Sequence, residues 1–169
     1  MNQINEIVSK MCDKYLLRES LEFDSAILQR LNPSSIQLPV DPTLNGRDAI
    51  GKLHVTLISG QALKPIKKEL AKVWEEIKMM LPPEPTPSFG TKLETAVRED
   101  KITDFLVVEN QEEYKQFVET LTQAIKTKIP TFANINNNRF FHISVANNRG
   151  GNSSGSIGDI NASDLGNNN

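Results

Sequence analysis

Two short tripeptides carry the side chains of this sequence that are best suited to acid–base chemistry. They are HVT at 54–56 and HIS at 142–144, and together they contain both histidines of the chain. An imidazole can accept or donate a proton near neutral pH, because its unperturbed pKa is about 6.5. A hydroxyl can donate a hydrogen bond to an anionic oxygen. The repeated H-x-[T/S] pattern therefore predicts one site that unites two imidazoles with two hydroxyls.

Metal-independent cleavage of a phosphodiester is the chemistry that such a set can perform. One histidine, His54 or His142, takes a proton from the attacking hydroxyl or water, and the other protonates the leaving oxygen. Each of these roles is worth about 10²–10⁴ in rate. The hydroxyls of Thr56 and Ser144 can donate to the non-bridging oxygens and stabilise the developing charge. The residues alone do not show which histidine is the acid and which is the base.

Two other interpretations of these residues stay open. Each histidine can be an ordinary strand residue that is hydrogen-bonded to a neighbour, with a hydroxyl at an unremarkable strand position. A Ser-His-Asp triad is the weaker of the two, because neither Thr56 nor Ser144 lies in a G-x-S-x-G elbow or occupies a strand-to-helix turn. The presence of the same pattern in two predicted strands favours a site.

Alternating apolar residues predict that each tripeptide lies on a β-strand. Residues two apart on a strand point to the same face. In the first predicted strand, 51–60, Lys52 therefore shares a face with the histidine and threonine of the first tripeptide. In the second, 139–148, Phe140 shares a face with the histidine and serine of the second tripeptide. Both strands are apolar on the opposite face, which predicts that this face packs against a core.

The rest of the chain predicts the elements that position these strands. Residues 20–50 are mixed, and within them 31–48 read as mostly loop with short extended pieces, because this stretch holds three prolines, a glycine and several Asn, Asp and Ser residues. Asn110 with Glu113 resembles a capping box at the start of a helix, whose predicted apolar face is formed by Tyr114, Phe117, Val118, Leu121, Ala124 and Ile125. The other predicted elements are helices over 3–19 and 66–81 and strands over 89–98 and 103–109. This order predicts an α+β fold in which helices lie outside antiparallel sheets.

Length and composition limit the class of protein. The chain has 169 residues, which suit a single domain, predicted over 1–155, with a flexible Asn/Gly/Ser-rich tail over 156–169. Its formal net charge of −2 argues against binding to duplex DNA. Two histidines and the single Cys12 are too few for a typical transition-metal site, and no cofactor is predicted. The absence of a long apolar run and of a signal-peptide pattern predicts a cytoplasmic protein with no membrane contact.

The paired tripeptides, with a helix after the first and another before the second, resemble the 2H phosphoesterase (LigT-like) superfamily over roughly residues 45–147. The resemblance implies a bilobal fold with antiparallel sheets around a central cleft. It also implies a metal-independent hydrolase, a phosphodiesterase, that acts on nucleotides. His54 and His142 would be its acid–base pair, and Thr56 and Ser144 its phosphate-binding hydroxyls. Serine in the second tripeptide, where threonine is commoner, is a departure from the family pattern.

The small size of the chain and its Asn-rich run over 142–159 are similar to small phage-encoded members of this superfamily. Some of those degrade the cyclic nucleotide signals of bacterial CBASS immunity, so the resemblance favours a cyclic oligonucleotide substrate in the host cytoplasm. The alternatives are 2′,3′-cyclic phosphates, RNA 3′ ends or 2′-5′ linkages. A different class of function is a non-catalytic protein that sequesters nucleotides. The oligomeric state is not predicted.

Four further residues are candidates for substrate binding. Phe140 can stack on a base, although core packing is an equal alternative. Lys52 and Arg139 can contact phosphates, and for Arg139 a solvated side chain is the ordinary alternative. Tyr15 can line the cleft if the first predicted helix covers it, although packing in the core is the simpler role.

Overall fold

An antiparallel β-sheet covered by helices forms the part of the chain that the structure describes. The structure is a computed structural model that describes residues 21–31, 46–89, 92–133, 140–151 and 157. Within these residues it contains a seven-stranded sheet in which every pairing is antiparallel. The predicted α+β class is therefore confirmed. The predicted helix over 3–19 lies outside the described residues.

The strands that carry the two tripeptides lie side by side at the centre of this sheet. The seven strands are β1 (Leu21–Asp24), β2 (Ala26–Arg30), β3 (Asp48–Ala49), β4 (His54–Ile58), β5 (Glu94–Arg98), β6 (Lys101–Val107) and β7 (His142–Asn147). Their order across the sheet is β1-β2-β4-β7-β6-β5, and β3 pairs with β7. The sequence correctly predicts β4 and β7 as strands, and the structure makes them direct neighbours.

The pairing between β4 and β7 is short. A single register pair, Val55 with Ile143, joins these two strands. In contrast, β2 pairs with β4 and β6 pairs with β7 along most of their length. On one side of the junction the hairpin β1–β2 lies next to β4, and on the other the hairpin β5–β6 lies next to β7. Two three-stranded halves therefore meet at the strands of the tripeptides.

The helices pack on one face of the sheet because their apolar faces bury against it. They are α1 (Gly60–Leu63), α2 (Lys67–Met79) and α3 (Gln111–Lys128), with a 3₁₀ turn at Lys64–Ile66 between the first two. The buried side chains of the two longer helices are Leu70, Trp74, Ile77, Tyr114, Phe117, Leu121, Ala124 and Ile125. They form one hydrophobic core with Val55 and Ile143 of the sheet. The helices therefore cover the face of β4 and β7 that carries these apolar residues.

The sequence pattern does not identify the strands over 21–30, where β1 and β2 form a hairpin. Ser25 joins the two strands with a φ of 64°, a left-handed conformation that is uncommon for residues other than glycine. Ile27 and Leu28 are adjacent in β2 and both are buried. A strand whose neighbouring residues are both buried lacks the polar–apolar alternation by which strands are identified, so the pattern does not reveal it.

Several predicted boundaries also differ from those of the structure. The first tripeptide strand begins at His54 and not at 51, and the second begins at His142 and not at 139. The helix predicted from 66 begins as a 3₁₀ turn that contains Pro65 and becomes α-helical at Lys67. Proline has no backbone N–H and suits a first turn, which explains why the regular helix starts after it.

Asn110 precedes α3 as predicted but does not cap it in the predicted way. Its side chain donates to Glu113 Oε1 at 3.2 Å, yet it accepts no hydrogen bond from the helix N–H groups. Its Oδ1 instead accepts from the backbone N–H of Ser88 at 2.9 Å, and its Nδ2 donates to the carbonyl of Thr86 at 2.9 Å. Asn110 therefore connects the proline-rich segment, residues 82–88, to the start of the helix.

A buried hydrogen-bond network joins α3, β2 and the proline-rich segment. The Tyr114 hydroxyl donates to Gln29 Oε1 at 2.6 Å. The Gln29 amide donates to the Pro85 carbonyl at 2.8 Å and to Glu84 Oε1 at 3.1 Å. Tyr114 is fully buried, and this burial raises the pKa of its hydroxyl well above the usual value of about 10. The folded protein therefore keeps Tyr114 protonated at a pH at which an exposed tyrosine ionises.

We expect the Tyr114→Phe variant to unfold with a free energy about 1–3 kcal/mol lower than that of the wild type at neutral pH, because the Gln29 carbonyl loses its buried donor. In the wild type, Tyr114 stabilises the fold fully below pH 10 and progressively less above it, because only the unfolded chain then ionises this residue. The difference between the two proteins is therefore expected to shrink above pH 10. Urea unfolding at pH 8 and at pH 11 measures it, and a pH-independent difference would contradict the prediction.

Candidate functional site

The two tripeptides meet on the sheet face that points away from the helices. Val55 and Ile143 are fully buried on the helix side. Side chains alternate along a strand, so the flanking histidines and hydroxyls of β4 and β7 lie on the opposite face. We call His54, Thr56, His142 and Ser144 the central patch.

The register of β4 and β7 determines how the central patch is arranged. The strands are antiparallel and Val55 pairs with Ile143, so His54 lies across from Ser144 and Thr56 lies across from His142. Directly opposed residues in such a pair have Cβ atoms about 4.5–5.5 Å apart, and diagonal neighbours are about 7–8 Å apart. The two histidines occupy one diagonal and the two hydroxyls the other. Each imidazole therefore has the hydroxyl of the other tripeptide as its cross-strand neighbour.

Two rows of side chains cross this face of the sheet and include the central patch. The first row, in order from β2 to β5, is Arg30, His54, Ser144, Phe105 and Glu94. The second row, in order from β1 to β6, is Glu22, Leu28, Thr56, His142 and Val107. The patch thus has Arg30 and Leu28 on its β2 side and Phe105 and Val107 on its β6 side.

His142 is enclosed by aromatic rings. It is 6% exposed. The ring of Phe105 lies edge-on to the imidazole with a centroid distance of 5.5 Å, and that of Phe140 lies edge-on at 5.9 Å. Phe140 is half-buried and packs on a small second core formed by Phe105, Ala96 and Ile157. These contacts hold the imidazole in one orientation and exclude water from part of its surface.

Ile157 belongs to the segment predicted as a flexible tail, yet it is 2% exposed. Its backbone N–H donates to Thr103 Oγ1 at 3.0 Å, and its side chain covers Phe105. Ile157 therefore packs with the aromatic side chains, Phe105 and Phe140, that contact His142.

His54 is half-buried and is oriented by a backbone contact. Its Nδ1 lies 3.3 Å from the carbonyl oxygen of Lys52. In a neutral ring that donates from Nδ1 to this carbonyl, the lone pair resides on Nε2. The contact therefore selects the tautomer in which Nε2 can accept a proton.

The predicted substrate-binding residues have different outcomes. The structure places Phe140 beside His142, in agreement with its predicted face. The face predicted for Lys52 is wrong, because this residue lies in an exposed bend before β4 and not in the strand. Its contact with the site is made by its backbone carbonyl. Arg139 and Tyr15 lie outside the described residues.

The sequence did not reveal two neighbours of the patch, Arg30 and Phe105. Arg30 belongs to a segment for which no strand was identified, so nothing placed it in the sheet. Phe105 lies in a predicted strand, but the identity of the neighbouring strand cannot be derived from alternation. The signal available for Phe105 was its shared face with Val107, which marks a side of β6 without showing what it packs against.

The described part of the chain contains neither a candidate metal-binding cluster nor a helix that could span a membrane. Among these residues, no group of three or more His, Cys, Asp or Glu side chains is arranged to hold a metal ion. No helix within the described ranges has the length and apolar character needed to cross a membrane.

No protein-family model, no curated protein and no solved structure matches this chain.

Proposed function

We propose that the protein is a 2H-type phosphodiesterase that hydrolyses a nucleotide phosphodiester by two-histidine acid–base catalysis without a metal ion. One observation carries the proposal: both H-x-[T/S] tripeptides lie on adjacent antiparallel strands, with His54 and His142 on one face and at diagonal positions. A diagonal separation of about 7–8 Å between Cβ atoms leaves space for one phosphate group between the imidazoles.

In the proposed reaction the two histidines act on opposite sides of the phosphorus atom. For a 3′-5′ linkage, one takes the proton from the ribose 2′-OH or a water, whose oxygen then attacks phosphorus. The other donates a proton to the leaving 5′ oxygen as its bond to phosphorus breaks. The contact of His54 Nδ1 with the Lys52 carbonyl leaves Nε2 as the atom through which His54 accepts or donates the proton. Thr56 and Ser144 donate hydrogen bonds to the non-bridging oxygens.

The architecture of the sheet supports the bilobal fold of this superfamily. Each half has a hairpin on the outside and a tripeptide strand on the inside, and within the described sheet a single register pair, Val55–Ile143, joins the two tripeptide strands. This arrangement is approximately symmetric about the junction of β4 and β7. A pseudo-two-fold relation of this kind would repeat the H-x-[T/S] tripeptide at equivalent positions, as the sequence does.

The substrate that we favour is a cyclic oligonucleotide signal, as in counter-defence by phage against cyclic-nucleotide immunity. The net charge of −2 gives the protein little long-range attraction for long RNA. A short nucleotide needs only the local groups of the patch. The alternatives are 2′,3′-cyclic phosphates, RNA 3′ ends and 2′-5′ linkages.

The proposal is tested by incubating the purified protein with a panel of nucleotides and separating the products by chromatography. The panel contains cyclic di-AMP, a cyclic GMP–AMP dinucleotide, an RNA oligonucleotide ending in a 2′,3′-cyclic phosphate, 2′,3′-cyclic AMP and a 2′-5′ oligoadenylate, each with and without EDTA. We expect cleavage of at least one substrate at a rate that EDTA does not change. Activity lost in EDTA would contradict the two-histidine mechanism. Binding of a nucleotide without any product would instead support a sequestering protein.

A further inference from the structure

We propose that Arg30 binds a second phosphate group of the substrate, next to the phosphate that is cleaved, so that the site prefers nucleotides with at least two phosphates. This inference rests on the proposed function, because it concerns the same face of the sheet. It assigns a specificity role to a residue that the pair of H-x-[T/S] tripeptides does not include.

The first support is the position of Arg30. It pairs with His54 across β2 and β4, so the two side chains emerge from the same face with Cβ atoms about 4.5–5.5 Å apart. β2 lies on the far side of β4 from β7. Arg30 therefore stands one strand, about 4.8 Å, outside the central patch. A ligand that extends from the patch toward β2 reaches the arginine next.

The second support is the way in which the guanidinium is held. Arg30 Nε forms an ion pair with Glu22 Oε2 on β1. The side chains of Arg30 and Glu22 are 28% and 41% exposed. The ion pair therefore lies at the surface of the sheet face that carries the central patch, where a ligand can reach it. A guanidinium has five N–H donors, and the contact with Glu22 uses the one on Nε. The two Nη groups carry the four others, in the planar geometry that suits a phosphate.

The third support is the different character of the two sides of the patch. Toward β6 the neighbours are Phe105 and Val107, with Phe140 packed against Phe105, and none of them carries a charge. Toward β2 the neighbours are Leu28 and the guanidinium of Arg30, which lies next to His54. A nucleotide with one phosphate satisfies the patch alone, whereas one with a second phosphate also satisfies the arginine. The favoured orientation places the second phosphate over β2 and a nucleoside toward the aromatic side.

The test compares Arg30→Gln with the wild type on cyclic di-AMP, which has two phosphates, and on 2′,3′-cyclic AMP, which has one. We expect the substitution to raise KM for cyclic di-AMP about 10–100-fold, as loss of a hydrogen bond to a charged group does. We expect kcat to stay within about twofold of the wild type. Arg30 would bind the second phosphate equally in the bound substrate and in the transition state, so its loss weakens binding without slowing the chemical step. KM for 2′,3′-cyclic AMP is expected to stay unchanged. Arg30→Lys keeps the charge without the planar fork and is expected to give an intermediate KM.

Arg149→Gln is the matched control, since Arg149 is also an ion-paired arginine, with Asp100, but lies beyond the end of β7. It is expected to leave KM unchanged for both substrates. Melting temperatures show whether each variant is folded, and loss of a partly exposed ion pair alone changes stability little.

The possible outcomes separate the two proposals. The role of Arg30 would be overturned if Arg30→Gln affected both substrates equally or left KM for cyclic di-AMP unchanged. It would also be overturned if the wild-type protein cleaved 2′,3′-cyclic AMP but not cyclic di-AMP. Each of these results would leave the proposed phosphodiesterase activity intact. A wild-type protein that cleaves neither substrate would contradict the proposed function for them and this inference with it.

Discussion

The His54→Ala and His142→Ala variants are each expected to hydrolyse the substrate about 10²–10⁴-fold more slowly than the wild type, because each removes one proton-transfer step. The two losses are not expected to add, since the histidines act on one reaction as a unit. The double variant should therefore be only slightly slower than the slower single variant. Single-turnover rates with saturating enzyme measure the chemical step directly.

The two histidines differ in burial, and the design of the experiment has to account for this. His142 packs against Phe105 and Phe140 and is 6% exposed, so its truncation to alanine also removes packing. His142→Gln retains more of the volume and removes the imidazole, which makes it the better variant if His142→Ala melts early. His54 is half-buried, and alanine is suitable there. A folded variant of either histidine with a wild-type rate would show that the tripeptides are not a catalytic pair.

The Thr56→Ala and Ser144→Ala variants are expected to lower kcat about 10²–10³-fold, the usual effect of removing one donor to a developing oxyanion. Their KM values are expected to change less, because the hydrogen bonds strengthen as charge develops on the non-bridging oxygens. Both hydroxyl residues are half-buried in the middle of their strands. The loss should therefore appear in the rate more than in the melting temperature.

The matched controls replace each hydroxyl residue by the other type, so that a hydroxyl group stays at both positions. Thr56→Ser and Ser144→Thr preserve a donor at each position, so both are expected to keep a rate within about tenfold of the wild type, since a retained hydrogen bond is worth more than the methyl group that is exchanged. Thr56→Val preserves the shape and removes the donor, and it should behave like Thr56→Ala. Equal rates for Thr56→Val and Thr56→Ser would show that the hydroxyl has no role in catalysis.

Local patterns predicted the central strands and helix faces of this protein well. The alternation in HVT and HIS placed these residues on strands, and the apolar spacing of α3 correctly identified Tyr114 as part of its buried face. The same rule failed for β2, where Ile27 and Leu28 are both buried. It also placed Lys52 in a strand that begins only at His54. Strands of five residues, such as β2 and β4, carry too few residues for the period to mark them or their ends reliably.

The candidate site shows the same division between local and non-local information. Sequence alone determined which side chains lie together on one face of each strand, because side-chain direction alternates with a period of two wherever a strand forms. Only the tertiary structure decided that β4 and β7 are neighbours, that His54 faces Ser144, and that Arg30 stands beside them. Pairing and register of strands that are distant in the chain depend on how the whole core packs. No short stretch of sequence contains that information, so the chemistry could be predicted from the residues but its geometry could not.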